Sequence, residues 1–344
     1  MNVHWVNKNT SGSTWDLGWC ETNKHLIEET SKFGIVHDAK SEIAFHVSSP
    51  RLFRPIRGKK NAVFCMWESK DFPEEHRPYL HNADLLITSS NFCKEIFSEV
   101  VDCPVVVVPL GVDNSIWTSR RRVWQPGESF QWLIAGAPSA RKGLDTIQDV
   151  WNREFYGRED CHLYCKLTTA KFEQPVQRAI YDGFEEHSPG VVYKDNVVLD
   201  FRKLPIKDLV ETFHRSHGFV FPTAAEGFGL QLLEAMATSL PCIVTKYSGV
   251  LDFTTEETVK YVSWAPYENT YSSVDGDKAV LNSAMASVDD VAASMHAIMA
   301  DYRSALKMGK RAARLAQTFT WEKTGQQVAR ILEQFQQTVP RYGS

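Results

Sequence analysis

The sequence predicts an α/β protein built as two doubly wound, Rossmann-like domains facing each other across a cleft. Three observations predict it. The chain has 344 residues, more than one average domain holds, with 43% hydrophobic and 23% charged residues, which is enough apolar material for two cores. Short apolar runs alternate with amphipathic stretches along its whole length, which is the α/β pattern. Several of those runs are unbroken and β-branched, as parallel strands buried on both faces require.

In chain order, "HWVN" reads as the first strand, followed by "IVHD", "IAFHV", "NAVFCMW", "LLITS" and "VVVVP". "KEIFSEVV" carries a helical apolar stripe between the last two. The stretch over 111–130 contains "NSIWTSRRRVWQPGESF", which is polar, basic and broken by Pro-Gly, so it reads as a linker. Beyond it come the strands "FQWLIAG", "CHLYCKL", "VVLDF", "GFVFP" and "PCIVT". The helical patterns "GLDTIQDVWNREF", "PIKDLVETFHRS" and "LQLLEAMATS" lie among them. A last helix spans about 321–339. The expected units are an N-terminal domain over 1–115, a C-terminal domain over 116–320, and a terminal helix over 321–344 that packs back towards the first domain. Ligands belong at the C-terminal ends of the strands, where loops of both halves meet.

A formal net charge of −4 argues against a protein built mainly to grip nucleic acid. The N-terminus shows no basic-then-apolar leader, and runs such as "VVVVPLGV" are too short to cross a bilayer. The seven cysteines are scattered without paired C-x-x-C units, so reduced thiols in a cytoplasmic protein are expected and no metal site.

The stretch "GFVFPTAAEGFGLQLLEAMATS" carries the chemistry. A strand ends at Pro222, a loop holds Glu226, Gly227, Phe228 and Gly229, and a helix opens at Leu230 and carries Glu234. Two missing side chains at a helix start leave N–H groups open at a positive dipole end, a seat for phosphate. Were all eight steps helical, the glutamates would stand about 12 Å apart along the axis. That layout suits a nucleotide sugar, with hydroxyl pairs at each carboxylate and the diphosphate between them. Taken alone, E-G-x-G fits two solvated glutamates as well.

Five consecutive segments narrow this. "EGFGLQLLEAMATSLPCIVT" resembles the E-x7-E segment of the family-four retaining glycosyltransferases of GT-B fold. "VVVVPLGVDNSIW" resembles the segment joining their domains, and "LIAGAPSARKGLDTI" their phosphate-binding strand-loop-helix. "VVLDFRKLPIKDLVETFHRSHGFVFPT" resembles the run before the glutamates, and "FTWEKTGQQV" the opening of their final helix. The likeness covers about residues 84–340, and the first eighty residues match only loosely.

The resemblance implies transfer of a sugar from a nucleoside diphosphate donor, a UDP- or GDP-sugar, to an acceptor hydroxyl with retention. It implies no cofactor and no metal. Glu226 would bond the donor sugar, and Glu234 the ribose. Gly227, Phe228, Gly229 and Leu230 would present backbone to sugar and phosphates, Lys142 would meet the leaving diphosphate, and backbone near Leu204 would meet the base. The family usually carries an Arg about six residues before the Lys, where this chain has Gly136 and Ala137. Either Arg141 swings in, or another basic residue replaces it. Leu240 also departs, standing where the family commonly has Gly.

In the N-terminal half, Gly12 and Ser13 in "NTSGSTWDLGW" are candidates for reaching the phosphates across the cleft. Family members often have a cleft His at a strand end. Here the comparable strand ends in Trp67-Glu68, so Glu68 is the candidate acceptor contact or base, with His46 as the other candidate. "RLFRPIRGKK", with Arg54 and Arg57, is a candidate anion patch on the acceptor side, and "SRRRVW" a second basic cluster. A saccharide or lipid-linked acceptor is expected, with peripheral membrane contact for the latter. Hydroxymethylated bases of viral DNA are the alternative acceptor, and a catalytically silent GT-B binding protein is the alternative function.

Overall fold

The computed structural model describes residues 1–6, 17–125, 127–168, 184–272 and 278–338. The N-terminal half opens with β1 (Asn2–Val6), α1 (Leu17–Lys32), β2 (Val36–His37), β3 (Ile43–Val47) and β4 (Lys60–Phe64). Then follow α2 (Arg77–Leu80), β5 (Leu85–Thr88), α3 (Asn91–Ser98) and β6 (Val105–Val107). The strands form a parallel sheet in the order β2-β1-β3-β4-β5-β6. Every residue of β3 and β5 is buried, which is why both read as unbroken apolar runs. Helix α3 starts where Ser90 turns its hydroxyl back to accept the Cys93 amide, 3.2 Å away.

The second half begins with β7 (Phe130–Gly136), α4 (Leu144–Glu154), β8 (Cys161–Leu167), β9 (Glu185–Ser188), β10 (Val191–Lys194) and β11 (Val197–Asp200). Next come α5 (Ile206–Arg215), β12 (Gly218–Phe221), α6 (Leu230–Ala237), β13 (Cys242–Thr245) and β14 (Lys260–Val262). The chain closes with the hairpin β15 (Trp264–Ser272) and β16 (Lys278–Ala286), then α7 (Val288–Ala300), α8 (Tyr302–Ala316) and α9 (Trp321–Gln337). The sheet runs β14-β13-β12-β7-β8-β11-β10-β9, parallel from β14 to β11 and antiparallel from there to β9. Its parallel part has the order of a dinucleotide-binding fold. The direction of winding reverses between β7 and β12, so a crevice opens at their C-terminal ends.

Each strand read from the sequence is present. The hairpin β15–β16 and the antiparallel edge β9–β10 were missed, because both lie outside the parallel core and lack long apolar runs. On α6, Leu233, Met236 and Ala237 are fully buried, as the helical period requires.

Helix α9 returns to α1 in the N-terminal half, where Trp321 stacks on His25 at 4.4 Å and Thr324 donates to the Pro109 carbonyl at 2.8 Å. The stretch over 111–130 is more than a spacer, since Trp117 and Arg122 within it are buried. Arg122 donates to the carbonyls of Phe213 and His214 in the last turn of α5 and of Ser216 just after it, and to Thr238 just after α6. It is a clamp on two helix C-termini, where free carbonyls gather. Arg120 pairs with Glu211 at 2.8 Å. Of the three arginines in "SRRRVW", Arg120 and Arg121 stay exposed, and the expectation of a basic cluster is corrected for Arg122 alone: a guanidinium supplies enough donors to close two helix ends, and is buried in doing so.

Candidate active site

The crevice between β7 and β12 is filled from both sides. After Gly136 the chain makes a 3-10 turn over Ala140–Lys142 and enters α4. After Phe221 it loops through Glu226 to the start of α6. Lys142 donates to Glu226 Oε1 at 2.7 Å and to Gln231 Oε1 at 3.2 Å. The Arg141 Nη1 stands 3.0 Å from the same Glu226 oxygen and donates to the Ala225 carbonyl at 2.9 Å. Both Glu226 and Lys142 are buried.

Burial disfavours the Glu226 charge, but Lys142 and Arg141 more than offset this, so the carboxyl is held below its ordinary range. Burial also pulls the Lys142 ammonium below its ordinary value, and Glu226 opposes that pull. The Ser248 hydroxyl accepts the Glu226 amide, and the Gly249 amide donates to the Glu226 carbonyl. The carboxylate is thus fixed by its backbone and by two cations.

Arg141 brings a second cation to the Glu226 carboxylate. Gly136 has a φ of +146°, and a Cβ there would come within 3.2 Å of Gln231 Oε1 and 3.4 Å of the Lys142 stem. A long side chain at 136 would collide with the lysine, so the second cation arrives from the far end of the turn. Gln231 was missed by sequence reasoning. Its signal was available, because it precedes Glu234 by three residues and so shares its helix face.

The N-terminal half closes over the same loop. The Gly227 carbonyl accepts from the hydroxyls of Ser89 at 3.0 Å and Ser90 at 2.6 Å, and from the Cys93 thiol at 3.5 Å. A Cβ at Gly227 would stand 3.0 Å from the Met66 Cβ, so a glycine is what allows the two halves to approach here. Gly227, Phe228 and Gly229 are buried, and Phe228 packs on Phe253 at 4.8 Å. Gly227 therefore spends its carbonyl on the N-terminal half. Glu68 is half-buried and close enough to Lys142 to favour its charge.

Glu234 lies half-buried one turn into α6, where burial, with a smaller push from Glu21, raises its carboxyl to about 8. Leu230 and Leu204 are half-buried, Leu204 in the loop after β11. His46 is not brought to this group. It is buried on β3, 3.1 Å from Asn61 Oδ1 and edge-on to Phe53, and burial lowers it to about 4. It is a neutral core histidine. Arg54 folds back to donate to the carbonyls of Arg51 and Phe53 and lies 4.6 Å over Tyr79, while Arg57 is exposed. Gly12 and Ser13 lie outside the described residues. Among the described residues no group of three or more His, Cys, Asp or Glu could hold a metal ion, and no helix is long and apolar enough to cross a membrane.

A family model described as "Family 4 Glycosyltransferase in conflict systems" matches residues 87–328. The chain belongs to this family. The chain is also 26% identical, over 243 residues, to the D-inositol 3-phosphate glycosyltransferase of Arthrobacter sp. (strain FB24). That match covers 69% of this chain and 51% of the relative, so the chain spans about half the length of the curated relative it matches.

Solved structures agree on the fold. Sucrose-phosphate synthase from Thermosynechococcus elongatus superposes with a TM-score of 0.65 at 15% identity, over 94% of this chain and 80% of that one. Anabaena HepE in complex with UDP and glucose gives 0.63 at 12%, over 94% and 84%. WaaG, a glycosyltransferase involved in lipopolysaccharide biosynthesis, gives 0.60 at 10%, over 96% and 99%. The fold of this family 4 chain is GT-B.

Proposed function

We propose that this family 4 chain transfers a sugar from a nucleoside diphosphate sugar to an acceptor hydroxyl with retention of configuration. The observation that carries the reading is the Glu226 carboxylate held by Lys142 and Arg141 where the winding of the second sheet reverses. HepE, a structural neighbour, was solved with UDP, with UDP and glucose, and with UDP-glucose, which makes UDP-sugars the first donors to try.

In this reading Glu226 stays ionised and accepts bonds from the donor sugar's hydroxyls. The bond between the anomeric carbon and the phosphate oxygen breaks, and charge gathers on the leaving diphosphate. Lys142 and Arg141 are already charged and fixed beside it, so they stabilise the transition state more than the ground state. The acceptor oxygen bonds the anomeric carbon on the same face, and its proton passes to the leaving phosphate oxygen. Glu234 accepts from the ribose hydroxyls, Gln231 holds the lysine, and Glu68 faces the acceptor. The lysine and arginine supply the positive charge, so the reaction proceeds without a divalent metal. The acceptor is a saccharide or a lipid-linked glycan. The DNA reading loses support from the second basic cluster, since Arg122 is buried.

The test is a panel of nucleoside diphosphates and nucleotide sugars, read first by thermal shift and then by nucleotide release with EDTA present. A ligand at 100 times its Kd stabilises by about 2.7 kcal/mol. One donor turned over with EDTA present upholds the reading. Binding and release by no member of the panel overturns it in favour of a silent binding protein.

A further inference from the structure

The β15–β16 hairpin stands apart from the eight-stranded sheet, yet it touches both halves of the protein at the proposed catalytic carboxylates. The Ala284 amide donates to the Ala224 carbonyl at 3.0 Å, two residues before Glu226. The Asn282 carbonyl accepts from the Lys70 amide and the Ser69 hydroxyl, each at 3.1 Å, directly after Glu68. The Asn282 side-chain amide donates to the Asp71 carboxylate.

Residues two apart on a strand lie about 7 Å apart and share one edge and one face. One edge of β16 therefore holds the backbone beside Glu226 and the backbone beside Glu68 at a set spacing. Pro266 stands opposite Ala284 in the hairpin and has no amide for the ladder. The contact is seated, since Ser69 and Ala284 are fully buried. Tyr267, Ala284 and Met285 line one small cavity with Ala140, Gly143 and Pro222, so the hairpin also neighbours the turn that carries Arg141 and Lys142.

We propose that the hairpin is a strap across one flank of the cleft, and that Asn282 is the positioning residue that holds Glu68 in register with Glu226 and Lys142. Its effect on turnover rests on the donor reading above, whereas its grip on the Ser69–Asp71 segment does not. The strap fixes the acceptor side of the cleft and leaves donor affinity to Lys142, Arg141 and Glu234.

The experiment uses the full chain with Asn282→Asp, which sets a carboxylate against Asp71, and the swap Asn282→Asp with Asp71→Asn, which restores an amide–carboxylate pair in reverse. Hydrogen exchange at the Lys70 amide should rise roughly tenfold in the single variant and return in the swap, as expected for a lost charge-assisted bond. With the donor found by the panel, kcat for nucleotide release should fall by a similar factor while the donor KM stays within about twofold, and the swap should restore it. Unchanged exchange at Lys70 overturns the strap. Raised exchange with unchanged kcat overturns the positioning of Glu68. Raised and restored exchange in a protein that turns over no nucleotide sugar upholds the strap and removes the donor reading instead.

Discussion

Glu226→Gln is the most informative single change. It keeps the shape and one acceptor oxygen but removes the charge that faces two cations. The Lys142 and Glu226 side chains are 9% and 8% exposed, and Arg141 is 20% exposed, so water replaces little of what is lost. Breaking a buried ion pair from one side leaves an uncompensated charge and costs about 3 kcal/mol. For a chain of this size that is a fall of roughly 4 °C in Tm.

The sign with pH follows from the depressed Glu226 carboxyl. A carboxyl with a lowered folded pKa contributes its stability in full above the ordinary value of 4.5, and loses it as pH falls through the folded value. The gap between wild type and variant should thus be full at pH 7 and close at strongly acid pH. Turnover should fall ~100-fold or more, since an electrostatic group at the reacting centre is lost. Affinity for UDP should hold or improve, because the two cations are released to the diphosphate. Thermal unfolding across pH, UDP titration and nucleotide release read all three. A variant as stable as wild type at pH 7, or one whose deficit persists unchanged in acid, would refute the buried-clamp reasoning.

Two further outcomes follow from the same physics. Burial raises the Glu234 carboxyl to about 8, so the folded state holds a proton that the unfolded state releases between about pH 4.5 and 8. Wild-type stability should therefore fall as pH rises through that window, Glu234→Gln should overtake it there, and Glu234→Ala should bind UDP roughly tenfold more weakly; both are read by denaturation and titration. Arg122→Ala strands the carbonyls of Phe213, His214, Ser216 and Thr238, and should cost about 3 kcal/mol in urea unfolding while leaving UDP affinity unchanged.

Much of the fold was legible in the sequence because parallel strands buried on both faces have to be continuous apolar runs, and "IAFHV", "LLIT", "GFVF" and "CIVT" carry that mark without any knowledge of their neighbours. Glu226 and Glu234 stood out in the sequence because they flank a glycine turn between a strand end and a helix start, whereas Lys142 was named only through the family resemblance. That Lys142 reaches Glu226 is what the structure adds.

The tertiary structure decided what depends on residues far apart in the chain. Lys142 meets Glu226 across 84 residues of sequence, with Arg141 beside it, and a side chain at Gly136 would crowd the lysine stem. Arg122 looks like surface charge in "SRRRVW", but it is buried because two helix ends converge on it. His46 sits at a strand end, as a cleft histidine would, yet Asn61 and Phe53 enclose it. The strap is not marked in the sequence, since "WAPYENTYS" and "KAVLNSAMA" show neither a long apolar run nor a motif. Backbone hydrogen bonds to distant loops require only an amide and a carbonyl, which every residue except proline carries. No pattern of side chains announces such bonds, and only the packed chain determines where they form.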